Sequence, residues 1–307
     1  MDTISNLIND VKNKLPDVLF KLDEPMKNHT TFKVGGPVSI MFFPETAVSL
    51  ADVYDFLHKM KITPFILGNG SNLLVNDIHH DIAVINTTKF CDISLLDSDD
   101  TEYRDIDAQA GVLLSKLAVF AYTHGLTGVE FAHGIPGSLG GAVVMNAGAY
   151  GREMKDVVTG TVAYNNEKGI YGLTAADNDF LYRHSRFSTT GDLVLSSTVR
   201  LMKGDKNSIK QSMDDLSTRR KESQPLDLAS AGSTFKRPQE GYAAALIDQA
   251  GLKGYTVGGA QVSLKHAGFI VNTGNACFSD VMAVIGHVQE VVFKRFGVEL
   301  EPEIKIL

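Results

Sequence analysis

The chain has 307 residues, a formal net charge of −7, and 44% hydrophobic against 21% charged residues. This balance is typical of a folded protein, and the length exceeds what one hydrophobic core usually serves, so two or three compact units are expected. The acidic excess excludes a dedicated nucleic-acid binder, because phosphate backbones demand a basic surface.

Targeting and redox features favour the cytoplasm. Residues 1–16 lack the apolar core of a signal peptide, and glycines and charges interrupt every apolar run before it reaches the length of a membrane span. The two cysteines, Cys91 and Cys277, have no partners at metal-ligand spacing. They could form one bridge, but two isolated cysteines in so long a chain fit a reducing compartment better.

The first half of the chain predicts alternating helices and strands. A hydrophobic period near 3.6 residues indicates a helix, and a period of two indicates a strand. In chain order, the pattern predicts a helix over 50–60, strands over 63–67 and 106–110, a helix over 114–121, and strands over 157–164 and 193–201. Glycine-rich segments occupy 68–72 and 134–151.

Composition changes near Lys203, where a polar, turn-like stretch precedes an amphipathic helix. In chain order, the second half predicts that helix from 209 to 221, a loop with Ser233, a short helix over 242–250, a strand over 269–271, a long helix over 281–292 with Ser279 as N-cap, and a terminal strand over 298–307. This order indicates an α+β plan with a boundary near residue 203.

The glycine-rich segments 68–72 and 134–141 are candidate anion sites. Glycine lets successive backbone N–H groups turn toward an anion, and a helix start adds its dipole. A single such segment is more often a tight turn, but two of this density, with 146–151 just downstream, favour a diphosphate gripped from two sides. Neither segment has the Rossmann or P-loop spacing, which disfavours the usual dinucleotide and ATP folds.

These segments carry a family resemblance. Residues 31–37, 68–72 and 128–151 resemble the FAD-binding half of UDP-N-acetylenolpyruvoylglucosamine reductases, whose fold is shared with vanillyl-alcohol oxidases and p-cresol methylhydroxylase. The second half of the family is matched, in family order, by 182–187, 224–225, 231–238, 265–269 and 300–304. The short span between Tyr182 and Ser233 is similar to the compact, type II branch.

The resemblance implies an α+β fold with a two-part FAD-binding domain of the vanillyl-alcohol oxidase type, followed by an α/β substrate-binding domain. The FAD-binding domain would cover 1–203, in parts of about 1–87 and 88–203. The substrate-binding domain would cover 204–299, and a C-terminal strand over 300–307 would return to the active site.

The resemblance also implies an activity. NADPH would reduce UDP-N-acetylenolpyruvoylglucosamine to UDP-N-acetylmuramate through non-covalent FAD, in peptidoglycan precursor synthesis. The enzyme would be a cytoplasmic monomer that handles small molecules, with no metal, nucleic acid or membrane partner.

The resemblance also implies roles for individual residues of this sequence. Arg183, Ser233 and Glu303 match the catalytic trio: a guanidinium to stabilise an enolate, a proton donor to C2, and a carboxylate to orient this network. The implied cofactor-binding residues are Gly68, Asn69, Gly70, Ser71, Asn72, Gly134, Ile135, Pro136, Gly137, Ser138, Gly140, Gly141, Asn146 and Gly148. The implied substrate-binding residues are Tyr182, Arg219, Gln224, Lys236, Arg237 and Lys265.

Two positions differ from the family pattern, and two alternative functions remain open. Ala245 occupies a position where the family commonly has lysine, and His133 precedes the flavin-side segment, where packing or a hydrogen bond is its expected role. One alternative is a carbohydrate or alcohol oxidase of the same flavin fold, which would need no NADPH. The other is a non-catalytic UDP-sugar or nucleotide-binding protein, which would purify colourless.

Overall fold

The computed structural model describes residues 10–307, so the first nine positions of the interpretation of 1–16 lie outside the described residues. The helices are α1 (Ala47–Lys59), α2 (Leu114–Thr123), α3 (Leu139–Val144), α4 (Phe187–Thr190), α5 (Lys206–Ser223), α6 (Ala243–Gln249) and α7 (Phe278–Phe296). Residues 10–14 are helical as well.

The strands range from two to eleven residues. They are β1 (Leu19–Pro25), β2 (Pro37–Phe43), β3 (Phe65–Leu67), β4 (Leu73–Leu74), β5 (His80–Asn86), β6 (Ile93–Leu95), β7 (Tyr103–Gln109), β8 (Leu126–Thr127), β9 (Gly148–Ala149), β10 (Arg152–Glu153), β11 (Val158–Asn165), β12 (Gly169–Thr174), β13 (Leu193–Lys203), β14 (Thr256–Val257), β15 (Ala260–Val262), β16 (Ile270–Asn272) and β17 (Lys305–Ile306).

The chain divides into two compact units. Of the described residues, unit 1 comprises 10–24, 38–68 and 81–213, and unit 2 comprises 25–37, 69–80 and 214–307. The units are divided differently from the domains that the resemblance implies, because two segments of the implied FAD-binding domain cluster with unit 2. The division also falls within helix α5 instead of at residue 203.

Unit 1 contains two larger sheets and the two-stranded pair β9-β10. One has the strand order β1-β2-β5-β3, with β3 parallel to β5; the other has the order β12-β11-β13-β7-β6, with β8 pairing with β13. Helix α1 shows how the local sequence builds this unit. The Thr46 hydroxyl accepts the N–H of Ser49 in a capping box, and the helix then buries Leu50, Val53 and Leu57. Each such burial contributes about 1.5–3 kcal/mol.

Unit 2 is built around helix α7 and the three-stranded sheet β14-β15-β16. Its core is aliphatic, with Val281, Val284, Val288 and Val292 fully buried along one face of α7. Strand β17 pairs in parallel with β4, which fastens the chain end to the segment 69–80. The predicted helical spacing of the valines is therefore confirmed.

Two local predictions are wrong. The N-cap of α7 is Cys277, not Ser279: the side chain of Asp280 accepts the Cys277 N–H at 3.1 Å, and the thiol accepts an N–H in return. The strand predicted over 298–307 is formed only by β17 at its end. Pro302 has no N–H for a strand ladder.

Over residues 10–307, no helix combines the length and apolar character needed to cross a membrane. Cys91 and Cys277 are both free thiols.

Candidate active site

The two glycine-rich segments meet at Gly68 and Ser138 in unit 1. A Cβ added to Gly68 would lie 2.3 Å from the Ser138 Oγ, so only glycine fits here without a shift. Ser138 is 1% exposed, and its hydroxyl has no hydrogen-bond partner among the described residues. Because a buried hydroxyl without a partner costs about 1–3 kcal/mol, this position suits a ligand that supplies an acceptor oxygen.

Helix α3 begins directly after Ser138, but its first amides are already used. The N–H groups of its first two residues donate to the carbonyls of Val112 and Ala110, at 2.7 and 2.8 Å. A Cβ on Gly140 would lie 2.8 Å from the Ala110 Cβ, so this glycine allows close packing. Gly141 is exposed, with space for a Cβ at 3.6 Å from the Ser138 Oγ. The amides of Leu139 and Gly140 are therefore not available to a ligand, whereas the space beside Ser138 and Gly141 is open.

The remaining predicted cofactor residues of both segments are accessible to different degrees. Pro136 is exposed, and the half-buried residues are Asn69, Ser71, Gly134, Ile135 and Gly137. His133, which precedes the second segment, is half-buried, and its N–H donates to the Glu130 carbonyl at 3.1 Å.

The segment from Asn69 onward lies in unit 2, where it supports the end of the chain. Gly70 has φ +60°, and a Cβ there would lie 2.1 Å from the His29 carbonyl oxygen. Asn72 contacts the C-terminal residues through both its side chain and its main chain. Its Nδ2 donates to the Glu303 carbonyl at 3.2 Å, and its main-chain carbonyl accepts the Lys305 N–H at 2.9 Å. Asn72 thus positions the main chain of a predicted catalytic residue.

A tight hairpin follows helix α3 in unit 1. Strands β9 and β10 pair with Gly148 opposite Glu153. The two connecting residues, Tyr150 and Gly151, both have positive φ, 55° and 81°. Positive φ at both central positions is the geometry that joins two strands through a two-residue turn. A Cβ on Gly148 would lie 2.4 Å from a carbonyl of the opposite strand, so this predicted residue is required for the hairpin itself.

Asn146 anchors this hairpin. It is fully buried with φ 41°, a left-handed conformation that asparagine tolerates better than most residues. Its Nδ2 donates to the Glu153 carboxylate at 3.1 Å and to the Leu181 carbonyl at 3.0 Å, and its Oδ1 accepts the Lys155 N–H at 3.0 Å. Both amide donors therefore have partners inside unit 1.

Arg183 lies against the same hairpin. It also has a left-handed backbone, with φ 53°. Its guanidinium lies 4.8 Å from the ring centroid of the half-exposed Tyr182, donates weakly to the Gly148 carbonyl at 3.5 Å, and faces the Glu153 carboxylate at 3.7 Å. Strained backbones at polar residues cluster at functional sites, and Asn146, Tyr150 and Arg183 form such a group here.

Ser233 lies in unit 2 on a segment that the main chain holds firmly. It forms an antiparallel bridge with Phe269, and the next residue, Thr234, donates its N–H to the Gly268 carbonyl at 2.8 Å. The Ser233 side chain is exposed. This arrangement presents a hydroxyl on a fixed backbone.

Glu303 is brought to the same segment. Its N–H donates to the Thr234 carbonyl at 2.8 Å, and Pro302 forms an antiparallel bridge with Phe235. The backbone of Thr234, the residue after Ser233, thus bonds to Gly268 through its N–H and to Glu303 through its carbonyl. Two predicted catalytic residues that are far apart in the sequence become neighbours in unit 2.

The predicted substrate-binding residues of unit 2 differ in how many contacts their side chains make within the protein. Lys236 forms an ion pair with Glu301, Arg237 lies 4.3 Å from the ring centroid of Tyr242, and Lys265 donates to the Lys221 carbonyl. Arg219 is exposed at the end of α5. Gln224 is half-buried with its Oε1 unpartnered among residues 10–307. Ala245 is exposed on α6.

His266 is a titratable residue beside this segment that motif comparison did not assign. Its Nδ1 accepts the Gly268 N–H at 3.2 Å, so the neutral ring carries its proton on Nε2. Burial lowers the pKa of the His266 imidazole, and the neighbouring charge of Lys253 adds to this effect. The ring is therefore held in its neutral form more strongly than an exposed histidine.

Glu153 is the other residue that sequence reasoning missed. A signal for it exists in the sequence: a glycine-containing two-residue turn at Tyr150 and Gly151 places Glu153 opposite Gly148. Neither residue spacing nor composition, however, predicts that this hairpin meets the guanidinium of Arg183.

Comparisons with known proteins agree with this fold. Residues 38–169 match the family model described as "FAD binding domain", and residues 224–307 match the one described as "UDP-N-acetylenolpyruvoylglucosamine reductase, C-terminal domain". The two matches define the class as flavin-dependent oxidoreductases with an FAD-binding domain, which confirms the predicted fold class and cofactor.

Similar proteins define the family. The chain is 48% identical to the UDP-N-acetylenolpyruvoylglucosamine reductase of Caldanaerobacter subterraneus subsp. tengcongensis, over 98% of both chains. It is 45% identical to the protein of the same name from Limosilactobacillus reuteri, over 96% of this chain and 97% of the other. A crystal structure of the reductase from Thermus caldophilus superimposes with a TM-score of 0.78 at 34% identity, covering 94% of this chain and 98% of that one. The chain belongs to the UDP-N-acetylenolpyruvoylglucosamine reductase family.

Proposed function

We propose that the enzyme uses NADPH and non-covalent FAD to reduce UDP-N-acetylenolpyruvoylglucosamine to UDP-N-acetylmuramate, in the synthesis of peptidoglycan precursors. In this proposal it acts as a cytoplasmic monomer on small molecules, without nucleic acid or membrane partners. Family membership at 48% identity supports the reaction, and the net charge of −7 agrees with the absence of nucleic acid.

The residues of unit 1 fit an FAD diphosphate. The buried Ser138 hydroxyl has no partner among the described residues and is flanked by Gly68 and Gly141, which have no side chains to fill the space. A phosphate oxygen would satisfy this hydroxyl. When bound, FAD supplies the hydride chemistry that links NADPH to the enolpyruvyl group.

Arg183 would stabilise the negative charge that forms on the substrate when hydride reaches C3 of the enolpyruvyl ether. A guanidinium stays protonated and can contact both oxygens of a carboxylate. Its contacts with Glu153, Gly148 and Tyr182 hold it before the charge develops. Such preorganisation makes electrostatic stabilisation effective, because little reorganisation is needed during the reaction.

Ser233 would protonate C2, and Glu303 would orient the substrate carboxylate. The single observation that carries these roles is that Thr234 joins the two residues: Ser233 precedes it, and the Glu303 N–H donates to its carbonyl at 2.8 Å. The side chain of Ser233 is exposed, so its hydroxyl is accessible to a substrate.

The diphosphate of the UDP-sugar would be bound by cations of unit 2. Arg219 and Arg237 have exposed side chains, with Lys236 and Lys265 nearby in the sequence blocks that resemble the family. Tyr182 and Gln224 complete the proposed substrate-binding set. With Ala245 exposed on α6, a cation common in the family is replaced by a methyl group here.

The test is NADPH oxidation by the purified protein, with and without UDP-N-acetylenolpyruvoylglucosamine, after a visible spectrum has been recorded. We expect a flavin spectrum and NADPH consumption that depends on the enolpyruvyl sugar, with UDP-N-acetylmuramate as product. A yellow protein that consumes oxygen with a hydroxyl substrate and ignores NADPH would instead establish the oxidase alternative. A colourless protein that cannot be reconstituted with FAD would overturn the proposal.

A further inference from the structure

Contacts with Tyr182, Gly148 and Glu153 in unit 1 hold the guanidinium of Arg183. Tyr182 lies under it, the Gly148 carbonyl lies 3.5 Å from Nη2, and the Glu153 carboxylate lies 3.7 Å from Nη1. The last distance exceeds that of a hydrogen bond. Glu153 therefore attracts the guanidinium by its charge and does not form a direct hydrogen bond with it at this distance.

The Glu153 carboxylate is itself fixed. The buried Asn146 donates to its Oε2 at 3.1 Å, and the Lys155 ammonium lies 2.8 Å from the same oxygen. The other oxygen, Oε1, faces Arg183. Only 20% of the Glu153 side chain and 18% of the Arg183 side chain are exposed, so the pair is screened less than a surface ion pair.

We infer that Glu153 is the positioning residue for Arg183. This inference rests on the proposed role of Arg183 in stabilising negative charge on the substrate. Glu153 lies between two cations, Lys155 and Arg183, and one carboxylate neutralises only part of their combined charge. At the same time, Glu153 aims a guanidinium whose backbone is left-handed and whose long side chain has many rotamers.

A purely structural role is the competing interpretation, since Glu153 also belongs to the hairpin and its backbone N–H donates to Asp156 at 2.8 Å. The two roles differ in what depends on Arg183. A structural role damages the fold whatever residue occupies position 183, whereas a positioning role has no consequence once the guanidinium is gone.

The test is Glu153→Gln, alone and combined with Arg183→Ala, in the FAD-containing enzyme. Stopped-flow spectroscopy separates reduction of the flavin by NADPH from its reoxidation by UDP-N-acetylenolpyruvoylglucosamine. We expect Glu153→Gln to slow reoxidation by about ten- to a hundredfold, with reduction by NADPH unchanged. In the Arg183→Ala background, the same substitution should have almost no further effect.

Asp105→Asn is the matched control, because Asp105 also pairs with a guanidinium in unit 1, that of Arg200, with oxygen–nitrogen distances of 2.8 and 2.7 Å. It should leave both half-reactions unchanged. A second variant, Lys155→Met, removes an exposed cation with little risk to folding. Because the Glu153 carboxylate would then have lost its ion pair with Lys155 and would neutralise more of the Arg183 charge, reoxidation should slow by about twofold, and only when Glu153 is present.

Three results would overturn the inference. They are normal reoxidation in Glu153→Gln, an equal loss of rate in the Arg183→Ala background, and a parallel loss of flavin reduction and thermal stability. If Arg183→Ala itself reoxidises normally, the proposed role of Arg183 fails as well, and this outcome is distinct because it is read from the single variant.

Discussion

In unit 1, side-chain electrostatics hold the candidate catalytic residue, whereas in unit 2 main-chain hydrogen bonds do so. The Arg183 guanidinium contacts the Glu153 carboxylate and the Tyr182 ring. Ser233 and Glu303 are placed by bonds that the Thr234 backbone makes to both sides. The two units should therefore respond to different substitutions. A change of charge should matter most in unit 1, and the loss of a functional side chain or of a main-chain contact in unit 2.

The largest effect is expected for Ser233→Ala. The main chain holds this segment without the hydroxyl, so the variant should fold and its flavin should still be reduced by NADPH. Product formation should fall by about 10²- to 10⁴-fold, the usual contribution of a general acid. Rapid-mixing measurements of both half-reactions check this. Ser230→Ala is the control, since the known contact of Ser230 is its carbonyl, which accepts the Thr31 hydroxyl at 2.6 Å. Normal turnover in Ser233→Ala would show that another group donates the proton.

A smaller loss is expected for Asn72→Ala. The substitution removes the Nδ2 donor to the Glu303 carbonyl but leaves the Glu303 N–H bonded to Thr234. We expect kcat to fall about tenfold, because a catalytic group whose main chain loses a hydrogen bond is misplaced slightly. FAD affinity, measured by flavin fluorescence, separates this role from a cofactor contact. If only FAD affinity falls, Asn72 serves the cofactor and not Glu303.

The third prediction compares neighbouring glycines of helix α3. In Gly140→Ala the new Cβ would lie 2.8 Å from the Ala110 Cβ, so we expect a loss of about 1–3 kcal/mol in the free energy of unfolding. In Gly141→Ala the new Cβ would meet ordinary contacts, and we expect a gain of about 0.4–1 kcal/mol. Urea titration of both variants checks this. Equal stabilities would show that the packing at Gly140 is not tight. Weaker FAD binding by a stable Gly141→Ala would indicate close approach of the cofactor.

The smallest effect concerns pH. Burial lowers the pKa of His266 below its usual value of 6.5. As the pH falls through 6.5, the unfolded chain takes up a proton at this residue that the folded chain does not, so the contribution is present above this pH and is lost below it. His266→Asn should therefore show a shallower loss of stability between neutral and mildly acidic pH. Parallel denaturation curves of the variant and the original protein would contradict this.

Sequence patterns predicted much of the secondary structure. The helices over 50–60 and 114–121, the strands over 157–164 and 193–201, and the long helix over 281–292 all appear in the structure with shifts of a few residues at their ends. These elements bury one face each, so their period is written in neighbouring residues. The N-cap at Cys277 and the interruption of the terminal strand near Pro302 depend on individual residues, and the pattern predicted both of them wrongly.

The sequence by itself determined the α+β class and the glycine-rich segments, because both follow from local periodicity and composition. The candidate catalytic residues came from the resemblance of short motifs to a known family. Only the tertiary structure decided that Glu153 faces Arg183, that Thr234 joins Ser233 to Glu303, and that the Ser138 hydroxyl is buried without a partner in the described chain. Each of these facts depends on segments distant in the sequence, and a residue's own neighbours hold no information about which distant backbone will pack against it.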